Sequence, residues 1–246
     1  MTLDDMKDYV RGKDIILVGN SLDALEYAYG DYIDGFDITV RFGKGLPEPV
    51  IFDRIGTNTH VWVTGQLRMK TFKEVLKVTK ILFNESLYNP EFGRPPVEHC
   101  SMYSEETITE IANQYNIDEG KRLSAGAITA HWFANVCDTW NSMTFINFDA
   151  FTTVTNFHAS ISDSEQFTGS WHLPMLRPEI IPEDYSIQQG SLAHDSRAEI
   201  AIYRDILKKQ GTYWRGAALN PNPGYTLREK ALVKWSPGRG RPPSRE

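Results

Sequence analysis

The run Ile15-Ile16-Leu17-Val18, ending at Gly19-Asn20-Ser21, limits what this chain can fold into more than any other feature. Four consecutive apolar residues offer no polar face, so a strand made of them must be covered on both sides, as in the interior of a parallel sheet. The small residues let the chain turn at once, and Leu22, Leu25 and Tyr29 then recur at helical spacing, with Gly30 as the expected stop. A strand, a small-residue loop and a helix in immediate succession predict an α/β fold. The alternation continues, with strands predicted over 37–42 and 60–64 and a helix over 71–83. A proline-bearing loop follows over 90–100, and then a helix capped by Ser104 through Tyr115.

Ser124-Ala125-Gly126 repeats the small-residue opening ahead of a helical pattern through Ile128, Phe133, Val136 and Trp140, which gives way to the strand-like Met143-Thr144-Phe145-Ile146. No period is visible over 151–189, and a connection of that length inside a compact domain commonly forms a lid or an acceptor site. Ser196 and Glu199 stand at capping-box spacing ahead of Ile202, Tyr203, Ile206 and Leu207, and Gly211 closes that helix.

At 246 residues and 41% hydrophobic, the chain can bury one sizeable core, so a single catalytic domain over 1–230 is expected, followed by a basic tail over 231–246. The net charge of -6 excludes a body that coats nucleic acid non-specifically. The charge is unevenly spread: from Arg228 to Glu246 six Lys or Arg face two Glu, which makes that segment +4 and leaves -10 elsewhere. The first residues carry no apolar leader and no run approaches a bilayer span, so a cytoplasmic protein without a transmembrane segment is expected. Cys100 and Cys137 are expected as reduced thiols.

Free backbone N–H groups at a helix start, reinforced by the helix dipole, suit the anionic oxygens of a nucleotide, and small side chains let those oxygens come close. Gly19, Asn20 and Ser21 form one such place and Ser124, Ala125 and Gly126 another. His194 stands just before a capped helix, where the positive end of the dipole favours neutral imidazole able to accept a proton. Glu199 reads as a capping residue, and His60 and His131 as hydrogen-bonded structural histidines. Asp34, Asp37 and Arg41 read as a structural ion-pair set, and no metal-ligand spacing emerges.

Several of these residues carry a family resemblance. Val18-Gly19-Asn20-Ser21, Gly30, Ile33-Asp34, Phe36-Asp37, Val40-Arg41-Phe42, Asp53, Ile55-Gly56 and Thr59 resemble in order the long sialylmotif of glycosyltransferase family 29. Ser124-Ala125-Gly126, Cys137-Asp138 and Phe148-Asp149 resemble its short sialylmotif, and His194 with Glu199 resembles its His-x4-Glu motif. The resemblance implies a single-domain variant Rossmann-like (GT-A-like) α/β fold and a metal-independent, inverting glycosyltransferase. It also implies a nucleotide-sugar donor, cytidine-type, with no further cofactor. Asn20 and Ser21 would contact the donor, Ser124, Ala125 and Gly126 would offer it backbone contacts, and His194 would be the catalytic base. His158 or His172 would stand in for the family's third motif. Two departures are visible: Ile15 occupies the position of a family cysteine that bonds the counterpart of Cys137, and Gly43 replaces a donor-contacting asparagine whose role would pass to Lys44 or a backbone N–H.

In the tail, Arg239-Gly240-Arg241-Pro242 resembles the core of an AT-hook, whose arginines lie in the minor groove of A·T-rich double-stranded DNA. Arg239 and Arg241 are therefore expected to bind nucleic acid. A tethered enzyme of this class implies sugar transfer to hydroxymethylated pyrimidine bases, as some bacteriophage enzymes perform, with Trp132, Trp140, Trp171 and Trp214 available for stacking. The alternatives are a bacterial, sialyltransferase-like enzyme acting on a surface-glycan precursor and a non-catalytic nucleotide- or DNA-binding module.

Overall fold

A computed structural model describes residues 1–21, 28–43, 45, 47, 52–64, 80–83, 99–148 and 194–215. In chain order the elements are α1 (Leu3–Val10), β1 (Asp14–Val18), α2 (Gly30–Asp34), β2 (Ile38–Phe42), α3 (Phe52–Ile55), β3 (Val61–Thr64) and β4 (Lys80–Phe83). They continue with β5 (His99–Ser101), α4 (Glu105–Gln114), α5 (Ala125–Asn135), β6 (Ser142–Ile146), α6 (Ser196–Ile206) and β7 (Thr212–Arg215). The strands form one seven-stranded sheet in the order β5-β4-β3-β2-β1-β6-β7, with every pairing parallel.

The four apolar residues of β1 divide between the two faces of this sheet, as the two-residue period of a strand requires. Ile15 and Leu17 join the larger core with Met6, Val10, Ala127, Phe133, Phe145 and Tyr203, while Ile16 and Val18 pack with Tyr29, Ile33, Phe36 and Ile146 on the other side. Burying an aliphatic side chain of this kind contributes roughly 1.5–3 kcal/mol, so the central strand is held from above and below. The order of the sheet reverses at β1: strands β2 to β5 extend to one side, and β6 and β7 to the other. In an open α/β sheet the crevice outside the carboxyl ends at such a reversal is where ligands bind.

Several local readings are corrected by pairing that lies far away in sequence. Residues 80–83 form strand β4, not the end of a helix, because they fill the gap between β3 and β5. His99 and Cys100 likewise belong to β5 and not to a loop. Gly30 starts a helix where a stop was expected: a side chain there would overlap the Phe52 carbonyl, so the glycine admits α3 against α2. α5 ends at Asn135, short of Trp140, whose indole N–H turns back to donate to the Phe133 carbonyl at 2.9 Å. The cap of α6 is Asp195, whose Oδ1 accepts from the N–H groups of Arg197 (3.0 Å) and Ala198 (3.1 Å), so Ser196 is the first helical residue. β7 had no counterpart among the expected elements. Ser104 caps α4 as expected, its hydroxyl accepting from Thr107 N–H at 3.3 Å. The expected helix across residues 22–27, the helical stretch 71–79, the loop 90–98, the segment 151–189 and the tail all lie outside the described residues.

Asp34, Asp37 and Arg41 are structural, but as organisers of backbone and not as ion pairs with one another. Asp34 accepts from the N–H groups of Thr57 and Asn58, Asp37 from that of Asp14, and the buried Arg41 donates to the carbonyls of Ile55 and Asn58. His60 does similar work beside them, its Nδ1 accepting from Thr39 N–H at 2.9 Å. Burial holds its pKa below the ordinary 6.5, with Asp34 pulling the other way. A folded-state pKa depressed in this way contributes stability above 6.5 that is lost as pH falls towards the folded value. Chemical denaturation from pH 7 down to pH 5 will therefore show falling stability, and His60→Gln will flatten that slope.

Candidate functional site

The crevice at the sheet reversal is built from the carboxyl ends of β1, β2 and β6 and from the start of α5. Gly19 N–H donates to the Ile146 carbonyl at 2.8 Å, and Ser21 N–H to the Asn147 carbonyl at 3.0 Å. A side chain at position 19 would collide with Asn147 O and approach Phe148 Cδ2 to 3.0 Å. Glycine is thus required here by the neighbouring strand end. The amides of Gly19 and Ser21 are spent on that junction, and Ser21 is buried. Asn20 is half-buried: its Nδ2 donates to Phe42 O at 3.3 Å, while its Oδ1 is buried against Gly45 without a hydrogen-bond partner. Gly43 N–H is likewise committed, to Val63 O at 2.9 Å, and Lys44 lies outside the described residues.

At the second loop, Ser124 caps α5, its Oγ accepting from Ala127 N–H at 3.1 Å. Its own N–H and hydroxyl both donate to Glu199, at 2.7 Å to Oε1 and 3.0 Å to Oε2. Glu199 is fully buried, and its carboxylate binds Ser124 instead of closing a capping box on α6. Ser124 N–H is therefore committed to Glu199. The N–H groups of Ala125 and Gly126, the first two of the helix, have no intrahelical acceptor, and both residues are half-buried. A Cβ on Gly126 would sit 2.8 Å from Phe148 Cε1 and 3.3 Å from the Tyr203 hydroxyl.

Phe148 is the ring that joins the two loops, touching the space over Gly19 on one edge and over Gly126 on another. It packs edge-on against Phe42 and Phe145 at centroid distances of 5.6 and 5.7 Å. Its importance is visible only in the tertiary structure, although its place after a strand end was readable. Trp214 stacks on Phe145 and contacts Tyr203, so it supports this cluster, and Trp132 is buried in the core. Trp171, Asp149, His158, His172, Arg239 and Arg241 lie outside the described residues.

His194 is buried beside the start of α6 and pairs with Arg122 in a single parallel bridge. Its Nδ1 lies 3.2 Å from the Arg122 carbonyl oxygen. A carbonyl only accepts, so Nδ1 carries a proton, and in the neutral ring the lone pair is then on Nε2. Arg122 precedes Ser124 by two residues, so the bridge and the Glu199 bonds together fasten His194 next to the α5 N-terminus. Asp195 adds a third tie by accepting from Asp118 N–H at 3.0 Å. Burial would raise the Asp195 carboxyl, but the N–H groups of Asp118 and Ala198 and the Arg197 guanidinium hold it below its usual range.

His131 is structural, its Nδ1 meeting the Tyr103 hydroxyl at 2.8 Å. Cys100 and Cys137 are buried free thiols, and burial pushes Cys137 up to about 12. Among the described residues no group of three His, Cys, Asp or Glu is placed to hold a metal ion, and no helix is long and apolar enough to cross a membrane.

The fold so assembled is similar to that of a mammalian sialyltransferase crystallised in complex with Gal-beta-1-3GalNAc-ortho-nitrophenol. The two superpose with a TM-score of 0.50 at 14% identity, over 86% of this chain and 72% of that one. A second mammalian sialyltransferase structure aligns at 13% identity and a TM-score of 0.47, over 88% of this chain and 79% of that one. No protein-family model matches the chain. No curated protein sequence matches it significantly. The chain therefore has a Rossmann-like α/β fold with an all-parallel sheet that resembles the sialyltransferase fold.

Removing either partner of the Ser124–Glu199 pair leaves buried polar groups without partners, a loss on the order of 2–4 kcal/mol for Glu199→Ala. In a urea double-mutant cycle, Ser124→Ala and Glu199→Ala will be strongly non-additive, with a coupling of about 1–3 kcal/mol.

Proposed function

We propose that this chain is an inverting glycosyltransferase that takes a sugar from a cytidine-nucleotide donor and uses His194 as its base. The observation that carries this reading is the placement of His194: protonated at Nδ1 by its bond to Arg122 O and tied beside the N-terminus of α5 at the sheet reversal. The donor's phosphate would lie against the N–H groups of Ala125 and Gly126, where the helix dipole opposes the negative charge that grows on the leaving group. Asn20 would supply the side-chain contact from the other loop.

In the reaction the acceptor hydroxyl gives its proton to His194 Nε2 while its oxygen forms a bond to the anomeric carbon. The bond from that carbon to the phosphate oxygen breaks, its electron pair leaves with cytidine monophosphate, and the configuration inverts. The two carboxyl-end loops supply orientation and the histidine supplies proton transfer, a contribution typically of 10²–10⁴. His194→Ala will therefore lower turnover by about 10²–10⁴ while cytidine monophosphate binding, read by calorimetry, stays within about threefold of wild type. Equal turnover in the variant would remove His194 from the role.

For the acceptor we propose hydroxymethylated pyrimidine bases of double-stranded DNA, held near the enzyme by Arg239 and Arg241 in a cytoplasmic setting. The support is the Arg-Gly-Arg-Pro sequence and the +4 charge of the segment from Arg228 onwards. Mass spectrometry after incubation with cytidine- and uridine-nucleotide sugars tests donor and acceptor together. Sugar mass on hydroxymethylcytosine nucleosides is the expected result. Sugar appearing only on an oligosaccharide would place the enzyme in glycan synthesis instead.

A further inference from the structure

The amino end of the sheet carries an open cleft of about 460 Å³ that shares no residue with the crevice at the carboxyl ends. Its walls are the start of β6 (Asn141, Ser142), the start of β7 (Gly211, Tyr213) and the loop after α5 (Asp138, Trp140). This size falls within the roughly 300–1,000 Å³ of small-ligand sites. Four strand steps, about 13 Å, separate Ser142 from Ile146, where the crevice begins.

Two aromatic side chains line the cleft. Gly211 has φ +81°, and a Cβ there would stand 2.9 Å from Asn141 O and 3.5 Å from Trp140 Cζ3, so the glycine lets the indole lie against the start of β7. The indole N–H is committed to Phe133 O, which leaves Trp140 only its hydrocarbon surface to offer. Tyr213, 56% exposed, is the most exposed large apolar side chain among the described residues. One exposed aromatic is ordinary, but two on a single cleft form a surface for the C–H groups of a ligand.

The polar groups beside them favour a ligand without net charge. Asp14 Oδ1 accepts from Asn141 Nδ2 at 2.7 Å and from Ser142 Oγ at 2.6 Å, so those donors are spent while Asn141 Oδ1 keeps its capacity to accept. Lys209 Nζ donates to Ala134 O at 2.6 Å and to Asn135 Oδ1 at 2.8 Å, closing the end of α5. Among the described residues, no hydrogen bond or ion pair engages the side chains of Asp138 and Gln210. One carboxylate and one ammonium sum to zero, and an ion of either sign would meet a like charge. A ring bearing several hydroxyls suits what remains: its O–H groups donate to Asp138 and Asn141 Oδ1, its oxygens accept from the Gln210 amide, and its C–H face lies on Tyr213 and Trp140.

We infer that this cleft binds a neutral saccharide, at a site separate from the crevice. The inference goes beyond the proposed reaction and does not depend on it.

The test is saturation-transfer NMR titration of the full chain with lactose, maltotriose, cellotriose and diacetylchitobiose, against trigalacturonate as an anionic probe and chitotriose as a cationic one. At least one neutral saccharide should bind with Kd near about 1 mM, and Tyr213→Ala and Asp138→Ala should each weaken it about tenfold. Both side chains are exposed, so the melting temperature of each variant should stay at the wild-type value. Cytidine monophosphate should not displace the saccharide. Failure of all four neutral probes, tighter binding of a charged one, displacement by cytidine monophosphate, or full affinity in both variants overturns the inference. Saccharide binding that Tyr213→Ala weakens, in a chain that binds no nucleotide, supports the inference while the proposed donor falls.

Discussion

The bond pair from Ser124 to Glu199 is the interaction on which the site depends. A fully buried carboxylate is tolerated only where donors replace its lost water, and here the N–H and hydroxyl of Ser124 are two of them. That residue also caps α5, so the same serine starts one helix and anchors another. The Arg122–His194 bridge and the Asp118–Asp195 bond both lie N-terminal to this contact in the same two segments. Three ties of this kind give His194 a fixed position relative to the α5 N-terminus. The exposed Arg197–Asp118 ion pair nearby, at 2.8 Å, adds little beside them because its charges remain solvated.

The second organising contact is apolar. Phe148 fills the space above both Gly19 and Gly126, and both glycines are needed because a methyl group at either would press on that ring or on the Asn147 carbonyl. Small residues at a strand-to-helix loop invite a reading in terms of phosphate approach. In this crevice much of their smallness serves packing, and the amides of Gly19 and Ser21 go to the end of β6, while the first amides of α5 have no intrahelical acceptor. Truncating a buried aromatic such as Phe148 costs on the order of 3–5 kcal/mol, which gives the scale on which the two loops are held together.

Much of the sheet was readable in advance where a strand was mostly apolar. Ile15–Val18 announces itself by having no polar face and Met143–Ile146 by a run interrupted only by Thr144, and β2 and β3 follow within a residue of expectation. The failures share one cause. Residues 80–83 and His99–Ser101 are strands because of parallel partners supplied by distant segments, and no local window contains those partners. Glu199 failed for the same reason: the capping-box spacing was present, but a donor 75 residues away competed for the carboxylate and won.

The amino-acid sequence by itself determined the class of fold and the chemical inventory: a buried central strand, two small-residue loops at helix starts and a histidine ahead of a helix. These follow from periodicity, propensity and capping, which are local effects. Only the tertiary structure decided which of those groups remain available. It committed the amides of Gly19, Ser21 and Ser124 to the fold, set the tautomer of His194 through Arg122, and left Asn20 and Asn147 with unpaired atoms. The physical reason is that a hydrogen-bonding group can be spent once, and which partner takes it depends on what the whole chain brings within about 3 Å.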